Sequence, residues 1–256
     1  MKVAIVTGAA QGIGRRTSEV LAGVGYSLLL LDVQTCAATL EAVKAAGAEA
    51  EEVVGDICDE AVVAEAVSTV RRRWGRTDLL VNNAGISHIQ PAEMTEGRTF
   101  QRVLEVNLLA PFLLSKGFGA IMLEQRSGSI VNVASIAGLV GISDRSAYNA
   151  SKHGLIGLTR TLAAEWGGRG VRTNAVCPGW VKTEMDAADQ AGGSYTDADI
   201  QGVNPIGRFA SPDDSAQAIL CLADSERSGF INGQSLAVDG GWTTDASWQS
   251  LRMQKR

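Results

Sequence analysis

Histidine is scarce in this sequence: His88 and His153 are the only two in 256 residues. His88 has no second ligand at metal spacing, so no metal site is expected. Four cysteines are present, Cys36, Cys58, Cys177 and Cys221, and no two stand at the spacing of a metal or redox motif. Free thiols in a reducing cytoplasm are the expectation. Long apolar runs are also missing. No segment reaches the ~18 apolar residues of a membrane span, and the N-terminal Val3-Ala4-Ile5-Val6 is too short for a signal peptide. Positive charge is in deficit, with 23 Lys and Arg against 28 Asp and Glu, a net charge of −5 and a pI near 5.2. That balance argues against a nucleic-acid-binding surface. The one basic run, Arg71, Arg72 and Arg73 before Trp74, closes a helical pattern and reads as a solvated last turn favoured by the helix dipole. What remains is a soluble cytoplasmic protein of 26.8 kDa, 45% hydrophobic, of a size for one large α/β domain.

What is present is an alternation of short apolar runs and helical patterns. Residues 3–7 read as a buried strand, followed by the turn Gly8-Ala9-Ala10-Gln11-Gly12-Ile13-Gly14 and a helix to about Val24. Residues 27–31 form a second strand ending at Asp32, so strand, glycine turn, helix, strand and acid together make a βαβ unit. Glycines there let the backbone approach a pyrophosphate, and the helix N-terminus supplies N–H donors. A carboxylate at Asp32 can accept hydrogen bonds from ribose hydroxyls and would repel a 2′-phosphate. With Val33, Gln34 and Gln11 all uncharged, the residues point to NAD rather than NADP. The pattern continues with a helix over 38–46, a strand over 50–54, a helix over 59–73, a strand over 78–81 and one long helix over about 99–124. A strand over 129–134, a helix carrying Tyr148, strands over 172–176 and 235–238, and a helix starting at Ser211-Pro212-Asp213-Asp214 complete a doubly wound parallel sheet of Rossmann type, with helices on both faces.

Three side chains in the middle of the chain can do chemistry together. Ser135 follows the strand over 129–134, at the end where parallel sheets place their ligands. Tyr148 and Lys152 are four residues apart, hence one turn apart on one helix face. An ammonium group at that distance is expected to lower the phenol's pKa and suit it to acid/base work. Taken singly, such a pair reads as a half-buried ring beside a solvated charge; the glycine turn earlier in the chain changes that reading.

From about Lys2 to Trp242 the sequence resembles the short-chain dehydrogenase/reductase family, through the glycine turn, Asn82-Asn83-Ala84-Gly85, Ser135 and Tyr148-x-x-x-Lys152. The resemblance implies a reversible hydride transfer between NAD(H) and a secondary alcohol or ketone. In it Tyr148 exchanges the hydroxyl proton, Ser135 hydrogen-bonds the oxygen, Lys152 also binds the nicotinamide ribose, and Asn107 holds a water linking Lys152 to solvent. For the cofactor it implies Gly8, Gln11, Gly12, Ile13, Gly14, Asp32, Asp56 and Ile57 at the adenosine and phosphates. Asn83, Ala84, Gly85, Tyr148, Lys152, Pro178, Gly179, Val181 and Thr183 follow towards the nicotinamide. Asn82 and Asn83 are expected to be structural rather than catalytic. His88, Gln90, Ile136, Val140, Ile142, Arg145, Trp180 and Met185 are candidates for a substrate pocket.

Residues 184–208 lose apolar periodicity and are expected to form a mobile lid. The domain is expected to span 1–242, and 243–256 to be a polar tail in which Trp248 and Leu251, with Trp242 just before it, make an interface. By analogy with the family the protein would be a homotetramer acting on a small molecule. A 3-oxoacyl-thioester reductase shares every motif, but commonly uses NADP and needs basic surface for an acidic carrier protein. A non-catalytic dinucleotide sensor would tend to lose the Tyr or Lys. An epimerase or dehydratase relative would need a larger C-terminal domain.

Overall fold

The computed structural model describes residues 1–193 and 195–245. Seven parallel strands form one sheet: β1 (Lys2–Thr7), β2 (Tyr26–Asp32), β3 (Ala50–Val54), β4 (Leu79–Asn82), β5 (Gly128–Val133), β6 (Val171–Pro178) and β7 (Ser235–Val238), in the order β3-β2-β1-β4-β5-β6-β7. Both faces of the inner strands are covered, so β1 and β2 are apolar through residues 3–6 and 28–31, while β5 and β6 carry the buried polar Asn132, Thr173 and Asn174. Successive side chains go to opposite sides. Ala4 and Val6 of β1, Leu28 and Leu30 of β2 and Val81 of β4 enter one core, while Val3, Ile5, Leu29, Leu31 and Leu80 enter the other. Each of the four leucines of β2 is wholly buried, and truncating one to Ala would cost about 2–5 kcal/mol.

Helices α1 (Gly12–Gly23), α2 (Ala37–Ala45) and, later in the chain, the helix at Pro212–Ala223 lie over the first core. Helix α3 (Glu60–Arg73), capped by Asp59 accepting from the Ala61 N–H, lies over the second. The arginines at its end are tied by ion pairs, Arg71 to Glu124 and Arg73 to Glu49 and Glu51.

The single long helix expected over 99–124 is two helices joined by a π turn: α4 (Gly97–Leu104), Glu105–Leu109, and α5 (Ala110–Gln125). The extra residue in the turn accompanies the burial of Asn107, a polar side chain that needs partners inside the core. Among the described residues this run, 97–125, is the one helical stretch long and apolar enough to cross a membrane. Here Leu114, Phe118, Ile121 and Met122 bury against the sheet as those of a core helix do. Helix α6 (Ser146–Trp166) packs beside it and against β6 through Leu155 and Ile156.

Residues 184–208 are also more regular than their composition suggests. They contain α7 (Glu184–Ala191), capped by Thr183, and α8 (Asp197–Val203), opened by a reciprocal Thr196–Asp199 capping box. Two turns are too short to show a period. A second capping box, Ser211 with Asp214, opens α9 (Pro212–Ala223). Trp242 stands half-buried in a short 3-10 turn; Trp248 and Leu251 lie outside the described residues.

Candidate active site

Strand order reverses between β1 and β4, and a cleft of about 460 Å3 opens at the carboxyl ends of the strands there, the usual ligand position in such sheets. The glycine turn forms its floor. Gly8 has φ +65°, and a Cβ on it would sit 2.8 Å from Asn83 Nδ2. A Cβ on Gly14 would fall 2.0 Å from the Gly8 carbonyl oxygen, so Gly14 serves the turn without lining the cleft. Asn83 fastens this turn to β4: its Nδ2 donates to the Thr7 and Gly8 carbonyls at 2.9 and 3.1 Å, and Thr7 Oγ1 accepts from the Asn83 and Ala84 N–H groups. Asn82 Nδ2 donates to Asn132 Oδ1 and Ser115 Oγ inside the core. Helix α1 starts at Gly12 with no side chain capping it, which leaves its positive end to the cleft lined by Gly8, Gln11, Gly12 and Ile13.

At one end of the cleft Asp32 closes β2, its Oδ2 accepting from the Ala10 N–H and its Oδ1 from the Gln34 N–H, both at 3.0 Å. Asp56 and Ile57 line the wall opposite, together with Arg102, which sequence inspection does not single out. Arg102 pairs with Asp56 Oδ2, and the Cys58 N–H donates to Asp56 Oδ1. Burial raises the Asp56 pKa, but the Cys58 N–H and Arg102 outweigh it and hold the carboxyl below its ordinary range.

The catalytic candidates meet at the middle of the cleft. Ser135 follows β5 and caps the short turn Ile136–Gly138, its Oγ accepting from the Ala137 N–H at 3.1 Å. Tyr148 and Lys152 project from α6 into the same space. Lys152 Nζ donates to the Val133 carbonyl at 2.8 Å and lies 5.5 Å from the centre of the Tyr148 ring. The expected lowering of the phenol pKa by Lys152 is not what the folded site shows. Burial raises the Tyr148 pKa above its ordinary value, against a hydrogen bond with the Ser135 side chain and the charge of Arg145. Burial also pushes Lys152 down to about 8.

Asn107 stands behind these groups rather than in the cleft wall. Its Oδ1 accepts from the Ile86 N–H at 2.9 Å, and its Nδ2 donates to the Ile86 carbonyl and to Ser151 Oγ. Ser151 in turn donates to the Tyr148 carbonyl. Asn107 thereby joins the loop after β4 to the turn that carries Tyr148. A Cβ on Gly85 would lie 3.2 Å from Asn107 Oδ1 and 3.6 Å from Lys152 Nζ, so this glycine keeps that corner open.

At the far end, Ala84, Gly85, Pro178, Gly179, Val181 and Thr183 line the cleft, as do Ile136, Ile142, Arg145, Trp180 and Met185. His88, Gln90 and Val140 do not. His88 Nε2 is hydrogen-bonded to Gln90 Oε1 at 3.1 Å, and among the described residues no group of three metal-ligating side chains occurs. Ser87, Asp186, Asp189 and Tyr195 also face the cleft without having been singled out. Arg145 and Asp189 form an ion pair at 3.2 Å with side chains only 9% and 18% exposed.

A family profile described as enoyl-(acyl carrier protein) reductase matches residues 8–243. The chain belongs to the short-chain dehydrogenase/reductase family. It is 40% identical over 246 residues to the D-threitol dehydrogenase of Mycolicibacterium smegmatis, covering 94% of this chain and 93% of that protein. Levodione reductase superposes with a TM-score of 0.89 at 36% identity, over 95% of this chain and 98% of that one. A Beutenbergia cavernae protein assigned as an NAD(P)-dependent gluconate 5-dehydrogenase, and holding NADP at low occupancy, superposes with a TM-score of 0.88 at 40% identity, over 95% and 97%.

As a short-chain dehydrogenase/reductase, the protein is an oxidoreductase of alcohol and carbonyl groups that uses a nicotinamide dinucleotide. The cleft fits that cofactor in its chemistry: a glycine floor that side chains would fill, an uncapped helix N-terminus, and a carboxylate at the end of β2. When bound, the nicotinamide supplies the hydride chemistry. The residues of the chain that line the middle of the cleft are a phenol, a serine hydroxyl and a buried lysine.

Proposed function

We propose that the protein interconverts a secondary alcohol and its ketone with NAD(H), as a cytoplasmic homotetramer. The convergence of Ser135, Tyr148 and Lys152 at the end of β5, in a cleft whose opposite end is Asp32, carries this reading. In oxidation the substrate hydroxyl gives its proton to Tyr148 in its phenolate form, while Ser135 Oγ holds the substrate oxygen by a hydrogen bond. In reduction the same proton returns. Lys152, buried beside the ring, keeps the phenol in place and meets the nicotinamide ribose; Gly8, Gln11, Gly12 and Ile13 take the phosphates, and Thr183 the carboxamide end. Asp32 favours NAD because its carboxylate would accept hydrogen bonds from ribose hydroxyls and repel a 2′-phosphate, and neither Val33 nor Gln34 offers a cation to such a phosphate. Helices α7 and α8 act as the lid over the substrate.

The homotetramer reading is supported by apolar side chains left outside the core on the long helix: Leu109 is 47% and Phe112 42% exposed. Two such helices side by side would cover them. A thioester reductase fed by an acidic carrier protein is disfavoured by the Glu184 carboxylate at the cleft and by the net charge of −5. A non-catalytic sensor is disfavoured by the retention of every catalytic side chain. The decisive experiment follows NADH absorbance with a panel of secondary alcohols and ketones. The reading fails if folded enzyme that binds NADH, by fluorescence, turns over none of them.

A further inference from the structure

Beside Tyr148 the cleft ends in a polar cluster that hydride and proton transfer do not require. Arg145 caps α6 three residues before Tyr148 and is 8% exposed. Its Nη1 donates to Ser87 Oγ at 3.1 Å and to Asp189 Oδ2 at 3.2 Å, and Ser87 Oγ donates to that same carboxylate oxygen at 3.2 Å. The guanidinium carbon lies 5.5 Å from the centre of the Trp180 ring. Arg145, Ser87, Asp189 and Trp180 all line the cleft.

The cluster is built but not saturated. Among the described residues, Arg145 Nε and Nη2 and Asp189 Oδ1 make no hydrogen bond, and Trp180 Nε1 is buried without a partner. Buried N–H groups without partners are rare and call for an explanation. Open donors and an open acceptor thus stand together in the wall of the cleft, where a ligand can reach them, beside the buried Trp180 Nε1.

Charge and polarity narrow what fits. Arg145 is already matched by Asp189 and Asp186 by Lys182, and Glu184 adds a further carboxylate to the same cleft. A carboxylate or phosphate would find no unmatched cation in the cluster. A hydrocarbon chain would cover charged groups without giving them partners, at a desolvation cost. A hydroxyl both donates and accepts, and suits both kinds of open valence.

We propose that this cluster selects a neutral polyhydroxylated alcohol, by binding a hydroxyl on the carbon next to the reacting one. That hydroxyl donates to Asp189 and accepts from Arg145. The inference rests on the dehydrogenase reading above. The reacting CH–OH loses a hydride to the oxidised nicotinamide and its O–H proton to the Tyr148 phenolate, and becomes C=O. The neighbouring hydroxyl keeps its proton, so a vicinal diol gives an α-hydroxyketone.

The test compares kcat/KM for butane-2,3-diol and short polyols with that for 2-butanol and for 3-hydroxybutanoate, using wild-type enzyme with NAD and with NADP. The best diol or polyol is expected to exceed 2-butanol by at least about thirtyfold, the discrimination one charge-assisted hydrogen bond provides, and to exceed the carboxylate as well. In Arg145→Met and Asp189→Asn the ratio of diol to 2-butanol is expected to shrink to within about threefold, with cofactor binding and melting checked alongside. A wild-type enzyme that handles 2-butanol or the carboxylate as well as any diol overturns the proposal and leaves the dehydrogenase reading standing. So does an unchanged ratio in a folded Asp189→Asn protein. Absence of turnover with every alcohol and both cofactors overturns both.

Discussion

The ammonium of Lys152 is bonded to the backbone oxygen of Val133 at 2.8 Å, while the ring of the neighbouring Tyr148 is centred 5.5 Å from it. Lys152 is buried and Tyr148 half-buried in the cleft wall, and desolvation drives both towards neutrality, the phenol up and the ammonium down to about 8.

This sets a pH signature for the protein purified without cofactor. Lys152 titrates near 8 when folded and near 10.5 when unfolded. Below pH 8 it is charged in both states and the cost of burying the charge is present in full, about 3 kcal/mol. As pH rises from 8 to 10.5 the unfolded chain binds more protons, so stability gains and the cost disappears. Urea unfolding of wild type minus Lys152→Met should show that rise, because the other titrations cancel in the difference. A flat difference contradicts it.

On the proposed mechanism, replacing Tyr148 by Phe removes the proton carrier and little else. Turnover should drop at least ~100-fold, within the range for loss of a general acid/base, while NADH binding measured by fluorescence is retained. Near-normal turnover would remove Tyr148 from the mechanism.

Asp32 should favour NAD over NADP by about a hundredfold in kcat/KM, which corresponds to about 2.7 kcal/mol. Asp32→Asn keeps an acceptor for the Ala10 or Gln34 N–H while losing the charge, and should reduce the preference more than tenfold. Equal use of the two cofactors by wild type would refute the assignment.

Asn107→Leu leaves the Ile86 N–H and carbonyl without their side-chain partner, and leaves Ser151 without one of its bonds. Unfolding free energy should fall by about 2–4 kcal/mol. A loss below 1 kcal/mol, roughly that of an exposed site, would mean that water replaces the amide.

Oligomeric state is checked by light scattering of wild type, of Phe112→Asp and of a chain ending at residue 245. Thr243 is hydrogen-bonded to Asp239, so truncation beyond it spares the domain. The proposal expects a tetramer that is weakened by both changes and, in the truncated chain, a raised KM.

Strands β1 and β2 were legible because a sheet covered on both faces favours unbroken apolar runs. The edge strands β3 and β7 fall on the ranges expected for them although β3 carries Glu51 and Glu52. The glycine turn, Asp32, Ser135, Tyr148 and Lys152 were legible because local geometry dictates their spacing. Other residues act only through partners far along the chain. Arg145 and Asp189 are 44 residues apart, Ser87 and Asp189 are 102 apart, and Arg102 meets Asp56 across 46. No periodicity records such meetings. Nor did helical spacing alone reveal that desolvation would outweigh the attraction between Lys152 and Tyr148.

The π turn at Glu105–Leu109 makes the run from Gly97 to Gln125 sensitive to residue count as well as to residue type. Each residue advances an α-helix by about 100°. Deleting one residue there, so that the turn winds as ordinary helix, would rotate α5 relative to α4 by that angle. Leu114, Phe118 and Ile121 would swing out of the core while Val103 stayed in it. Single-residue insertions or deletions should therefore be rejected in this run, whatever the residue inserted or removed.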